Sequence, residues 1–389
     1  MHVKRVACVV VALTVICGSD LLLHSSLDYP VRRASAQAHA HGPQGFLPGV
    51  PTVLPSPLKL LKVIPIPGLP VASVDILWAD QASERLYLSD RTNASIDIFD
   101  GENDVFVGRV PGFAGATANG GGGPNGVVVT PDNKVWVGDG NSTVQVIDLN
   151  LTPPRIIQSI HTRGTNRADE LAYDPVDHLI MIGNDRDRPP FETIISTDDY
   201  SIRGEIVFRE ATGLEQPLWD PQLHRFLLNV PNLVDGSGAR VAVVNPTTLS
   251  VDTMYPVGSC SGTGLAVGPF QRLLVACGVP YVLNAVNGTI INKITQVNSG
   301  DEVWYNAGDG QFYVASTDPS GAGVLGVIDA LTATWRQNVP APRARVVSAL
   351  AGNNQIFVLL TAPAATIVDT TPCADAGFRN AGCLAVYGR

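Results

Sequence analysis

The sequence has no long run of basic residues. Lys and Arg together number 26 against 35 Asp and Glu, so the formal net charge is −9. Non-specific binding to nucleic acid depends on basic patches that neutralise phosphates. We therefore expect no nucleic-acid partner for this chain.

Several common catalytic and cofactor motifs are also missing. The sequence has no Gly-x-Ser-x-Gly nucleophile elbow and no Cys-x-x-Cys pair of the kind that binds zinc. The glycine run 120–123 is not followed by the Lys of a phosphate-binding loop. These absences argue against a serine hydrolase with that elbow, a zinc-cysteine site and a P-loop nucleotide site.

Long apolar segments are lacking except at the N-terminus. A short basic start precedes the apolar run Val6–Cys17, whose 12 residues fall short of the ~20 that a membrane-spanning helix needs. Small residues in the pattern of a cleavage site follow at 34–38. We predict a cleaved signal peptide at 1–36 and a flexible lead-in at 37–57, with an N-terminal membrane anchor as the alternative. The mature protein is then secreted or periplasmic, without a membrane span.

Cysteine is scarce, and four of the six cysteines lie beyond the predicted signal. An exported chain favours their oxidation to two disulfides. Sequence order suggests Cys260–Cys277 and Cys373–Cys383, although four cysteines allow three connectivities.

What the sequence does contain is a repeat of about 45 residues, punctuated by 38 Gly and 29 Pro, too many for a helical bundle. The clearest copy runs from Pro124 to Asp139, with two short apolar strands around a Thr-Pro-Asp-Asn turn and two more strands after it. Four short strands per unit is the pattern of a β-propeller blade. We predict an all-β, seven-bladed β-propeller over 58–389, with six blades as the alternative. The strand at 60–66 would complete the last blade beside 383–387, because an open array would expose sheet edges.

This repeat resembles known propeller families. The phrase from Pro124-Asn125-Gly126-Val127 to Val146-Ile147-Asp148 is similar to YVTN-repeat propellers and to gluconolactonase-like propellers, including the senescence-marker and lyase types. The resemblance covers 58–389 and implies the fold. For gluconolactonase-like members it also implies a metal held by acidic and Asn side chains at the starts of the innermost strands. YVTN-type repeats also occur in exported proteins without catalytic activity.

When the repeats are aligned, most of them have a polar residue at the start of the innermost strand, and we call these aligned residues the column. Propeller geometry places the first residue of each innermost strand at one mouth of the central channel. Carboxylate and amide oxygens are ligands for hard cations, so we predict a Ca²⁺ or Mg²⁺ site and assign as its ligands Asn125, Asp169, Glu215 and Asp301. Asp75 and Gln216, in the same part of their repeats, would contact a substrate. The alternative for each residue is a turn-capping role, in which its side chain accepts backbone N–H groups.

Candidate acid–base and anion-binding groups lie beside this column. Glu170 and Glu302 follow column residues and would move protons, and His161 is a further acid–base candidate. Arg163 and Arg167, in the connection leading to Asp169, would hold an anionic ligand.

Two other patterns receive structural interpretations. The run 185–188 (Asp-Arg-Asp-Arg) predicts a self-paired surface loop. Tryptophan recurs in the inner strands at 78, 219 and 304, which favours packing between blades over a sugar-binding platform.

Two functional hypotheses follow. The first is a metal-dependent hydrolase or lyase of the lactonase kind, in which the cation polarises a carbonyl or lactone oxygen of a small molecule. The second is a non-catalytic propeller that binds a partner at the cell surface.

Overall fold

From residue 59 onward, short segments rich in β-branched residues alternate with tight turns through the described part of the chain, and these segments form strands. The computed structural model describes residues 56–119 and 122–389; the predicted signal peptide and nearly all of the lead-in lie outside these residues. The strands are β1 Lys59–Pro65, β2 Val74–Asp80, β3 Arg85–Asp90, β4 Ser95–Asp100, β5 Val105–Pro111, β6 Val127–Thr130, β7 Lys134–Asp139, β8 Thr143–Asp148, β9 Arg155–His161, β10 Leu171–Asp174, β11 Leu179–Asn184, β12 Phe191–Ser196, β13 Ile202–Val207, β14 Pro217–Asp220, β15 Arg225–Val230, β16 Ala239–Asn245, β17 Ser250–Gly258, β18 Gly262–Val267, β19 Arg272–Cys277, β20 Val279–Asn284, β21 Ile290–Lys293, β22 Val303–Asn306, β23 Gln311–Thr317, β24 Gly323–Asp329, β25 Thr334–Pro340, β26 Ala344–Leu350, β27 Gln355–Leu360 and β28 Cys383–Gly388. A 3₁₀ turn covers Pro269–Gln271, and a single helical turn, α1, covers Pro372–Asp375.

The strands form seven antiparallel four-stranded sheets, which confirms the seven-bladed β-propeller. Blades 1 to 6 are consecutive sets, β2–β5, β6–β9, β10–β13, β14–β17, β18–β21 and β22–β25. Blade 7 has the order β1-β28-β27-β26, so the first strand of the chain pairs with the last. The ring is therefore closed by joining the two ends of the domain, as the repeat predicted.

The apolar cores lie between neighbouring blades. One cluster joins strands of blades 3 and 4, another joins blades 1 and 2, and a third joins blade 7 to blade 1. Ile64 of β1 belongs to the third cluster and is 1% exposed. Each blade consequently depends on both neighbours for burial of its faces.

The turn between the two innermost strands shares one backbone feature in all seven described blades. The residue just before the second strand has a positive φ between 52° and 70°, at Glu84, Asn133, His178, His224, Gln271, Gly310 and Asn354. These turns lie at the opposite end of the inner strands from the column. His178 and His224 thus occupy turn positions.

Both predicted disulfides are present, with Cα–Cα distances of 5.4 Å for Cys260–Cys277 and 5.7 Å for Cys373–Cys383. The second joins α1 to the start of β28, next to the ring closure. Across 56–119 and 122–389, no helix has the length and apolar character needed to cross a membrane.

Candidate functional site

The innermost strands β2, β6, β10, β14, β18, β22 and β26 contact one another in a ring around the central channel. The predicted column lies where these strands begin. Each of the four predicted metal ligands lies two residues before the start of an inner strand: Asn125 before β6, Asp169 before β10, Glu215 before β14 and Asp301 before β22. We call this end of the channel, with the column residues around it, the acidic mouth.

Arg91, which follows β3, connects two column residues. Its Nη2 lies 2.6 Å from Asp75 Oδ2, and its Nη2 and Nε donate to Asn125 Oδ1 at 2.6 and 2.9 Å. Asn125 is fully buried, and its Nδ2 donates to the Ala168 carbonyl at 2.7 Å. Both polar ends of the Asn125 amide are therefore occupied by protein groups.

Arg167 forms a second buried ion-pair group. Its Nη2 donates to Asp169 Oδ2 at 2.5 Å, and its Nη2 and Nε donate to Asp185 at 2.9 and 3.2 Å. All three side chains are at most 9% exposed. Burial and the Asp185 charge raise the pKa of Asp169 well above its usual value, while Arg167 acts in the opposite direction.

The remaining predicted metal ligands differ in their partners. Arg345 forms an ion pair with Asp301, and both side chains are partly exposed. Burial raises the pKa of Glu215 to about 8, with further contributions from the charges of Asp185 and Asp301. Among residues 56–119 and 122–389, no three His, Cys, Asp or Glu side chains are grouped so as to hold a metal ion.

Glu302 and Gln216 accept backbone N–H groups at points where the pairing of the inner strands is irregular. The pairing register shifts just before Leu77, Leu265 and Val347. The N–H groups of Leu77 and Val347 donate to Glu302 Oε2 at 3.1 and 3.2 Å, and that of Leu265 donates to Gln216 Oε1 at 2.8 Å. These side chains link different blades, because each accepts hydrogen bonds from backbone N–H groups of another blade. Gln216 of blade 4 accepts from blade 5, and Glu302 of blade 6 accepts from blades 7 and 1.

His161 and Arg163 lie elsewhere. His161 ends β9, the outermost strand of blade 2, and its Nδ1 accepts the N–H of Arg163 at 3.0 Å. Arg163 is exposed and its Nη1 lies 3.3 Å from Glu205 Oε1. The fold thus separates these two residues from the inner-strand column, whereas it brings Arg167 directly onto it.

The run 185–188 is a self-paired surface loop only in part. Arg186 Nε lies 3.6 Å from Asp185 Oδ2, and Arg188 Nη1 donates to the carbonyls of Asp185 and Asp187 at 3.1 and 2.7 Å, but the two carboxylates are buried. Asp185 and Asp187 are 7% and 8% exposed, because the connection 162–167 packs against them. Asp185 pairs with Arg167, and Asp187 accepts the N–H groups of Thr165 and Asn166 at 2.9 and 3.2 Å. The alternation of charges in the sequence does not indicate these contacts, because the partners of Asp185 and Asp187 lie in the preceding connection.

Two open clefts adjoin the acidic mouth. The larger, of about 620 Å³, includes Asp185, Arg186, Glu215 and Ser261 in its lining. The smaller, of about 420 Å³, includes Asp301, Arg345 and again Ser261. Arg91, Arg345 and Asp185 were not among the predicted site residues. The sequence offers one indication that Arg91 belongs to the site, because Arg91 directly follows a strand that ends at the mouth.

Comparisons with known proteins support the fold. No protein-family model matches the chain, and no curated protein matches it. The chain is similar to one in the crystal structure of a mitotic checkpoint complex, with a TM-score of 0.63 and 11% sequence identity, covering 90% of this chain and 99% of that chain. At this identity the similarity shows the propeller fold alone. The resemblance to YVTN-repeat and gluconolactonase-like families stays a prediction.

Proposed function

We propose that this protein is a non-catalytic binding propeller that acts outside the cytoplasm and recognises a protein partner at the acidic mouth. The observation that carries the proposal is the pairing of column carboxylates with Arg91, Arg167 and Arg345. Three of the four predicted ligands, Asn125, Asp169 and Asp301, already have an oxygen against a guanidinium group. The column then serves as an internally neutralised wall behind the clefts.

The clefts fit a polar partner carrying both signs of charge. Their linings include basic side chains such as Arg186 and Arg345 and carboxylates such as Asp185 and Asp301. Complementary charges at such a surface orient a partner and discriminate against others. The two disulfides support an oxidising location, where the partner would be a cell-surface or secreted protein. The structurally similar chain also belongs to a protein complex.

The test combines partner capture with metal and turnover assays on the mature protein. Arg186→Glu and Arg345→Glu reverse charges whose side chains are 39% and 47% exposed in the clefts. We expect cross-linking of extracellular proteins to the wild type to be lost in both variants. Arg203→Glu is the matched control, because its side chain is 48% exposed and lies on the outer strand of blade 3.

The metal-dependent hydrolase or lyase makes the opposite prediction for the same protein. It requires stoichiometric Ca²⁺ or Mg²⁺ by elemental analysis and metal-dependent turnover of lactones or esters. Both would be lost in Asp169→Asn and Asp301→Asn. That result would replace the binding proposal with the enzymatic one.

A further inference from the structure

The central channel contains a cavity that begins below the acidic mouth and extends along the inner strands toward the opposite face of the propeller. Its volume is about 380 Å³, and the inner strands of blades 1 to 6 line it. It extends from Glu170 and Gln216, at the inner end, to residues near the opposite face such as Trp219 and Tyr305. This volume is in the range of small-molecule sites, about 300–1,000 Å³.

The cavity wall is aromatic. Trp78, Trp219 and Trp304 all line it and are only half-buried. Trp78 and Trp304 meet edge to face with ring centroids 5.5 Å apart, and both also pack into the clusters between blades. The tryptophans thus have the packing role that their recurrence predicted, and in addition present ring surface to the channel.

One polar group at the inner end of the cavity has no partner. Glu170 is 8% exposed, lines the cavity, and its Oε2 accepts no hydrogen bond. At equivalent positions, Glu302 and Gln216 each accept at least one backbone N–H group, although Glu302 Oε1 also has no partner. A buried acceptor without a partner is costly and is satisfied when a donor binds.

We propose that the channel cavity binds a small organic amine with a flat apolar body, whose ammonium group contacts the Glu170 carboxylate. The faces of Trp side chains attract cations, and their area buries an apolar ring. This site is separate from the clefts of the proposed partner surface, so either proposal can fail alone.

The test uses isothermal titration calorimetry of the mature protein with tryptamine, tryptophol and indole-3-propionate. These probes share the indole ring and differ in carrying an ammonium, a hydroxyl or a carboxylate. At pH 7 we expect tryptamine to bind at least about 10-fold more tightly than tryptophol, as a charged hydrogen bond provides.

Glu170→Gln keeps the size and shape of the side chain and should fold. We expect it to weaken tryptamine binding about 10-fold to 100-fold and to leave tryptophol binding unchanged. Glu192→Gln is the matched control, because Glu192 is a fully buried, unpartnered carboxyl of the same blade that does not line the cavity. Trp304→Leu should weaken both probes.

Three results would overturn the proposal. They are no tryptamine binding up to its solubility limit, equal affinity for indole-3-propionate, and equal loss of affinity in Glu170→Gln and Glu192→Gln. Thermal melting of each variant confirms that the compared proteins are folded.

Discussion

At the scale of single residues, the acidic mouth depends on arginines that the strand pattern does not reveal. Arg167 connects Asp169 to Asp185 with all three side chains buried, and Arg91 connects Asp75 to Asn125. Carboxylates packed this closely would repel without a compensating cation. Here the compensation comes from guanidinium groups, which bind several oxygens at fixed geometry.

Replacing Arg167 by Gln should therefore destabilise the protein by about 3–5 kcal/mol, because it leaves two buried carboxyls without their partner. Urea unfolding monitored by tryptophan fluorescence measures this loss. Arg203→Gln removes an arginine from a solvent-exposed pair and should leave the unfolding midpoint unchanged. Equal midpoints for Arg167→Gln and the wild type would show that the buried pairs contribute nothing to stability.

At the scale of elements, the closing strand β1 contributes more to the fold than the exposure of its side chains suggests. Most of its side chains are exposed, yet it covers the edge of β28 and contributes Ile64 to the core between blades 7 and 1. Without it, β28 would be an open edge prone to pairing with other chains. The Cys373–Cys383 disulfide lies at the start of β28 and ties down the same blade.

Ile64→Ala should lower the free energy of unfolding by about 2–5 kcal/mol, since it removes a buried side chain and leaves a cavity. Leu60→Ala in the same strand is the control, because Leu60 is 39% exposed. Chemical denaturation compares the two. Similar small losses for both variants would mean that β1 is loosely attached and that the ring does not depend on it.

At the scale of the whole molecule, the propeller buries many carboxyls that prefer to be neutral. Burial raises the pKa of Asp97 to about 7, with help from Asp90. Burial also raises the pKa of Glu215 to about 8, and those of Glu170, Glu192 and Glu302 well above the usual range. The unfolded chain loses these protons near pH 4. From there up to the raised values, the folded state binds more protons than the unfolded state.

Stability should accordingly fall as pH rises from 5 to 8. The opposite case, Asp329 with a pKa lowered to about 2, loses its stabilising effect only in stronger acid, outside this window. Thermal unfolding at several pH values measures the trend, and Glu192→Gln should make it shallower by removing one titrating group. A melting temperature that rises steadily from pH 5 to 8 would contradict this account.

Much of the molecule was determined by local sequence. Four short strands per repeat, turn residues between them and the spare strand at 60–66 were enough to predict seven blades and their closure. The reason is that strand periodicity and turn chemistry act over a few residues. The repeat also placed the column correctly at the channel mouth, because each inner strand begins at the same phase of its unit. The order of the cysteines suggested both disulfides among three possible connectivities.

The partners of the column residues were decided only in the tertiary structure. Arg91 reaches Asn125 of the next blade, Glu302 accepts N–H groups from blades 1 and 7, and Asp185 turns inward to Arg167. These contacts join residues of different blades or loops, so no local pattern encodes them. The packing of neighbouring blades decides whether a column carboxylate contacts a guanidinium group, a backbone N–H group or the channel cavity. That packing therefore sets the chemistry of the site.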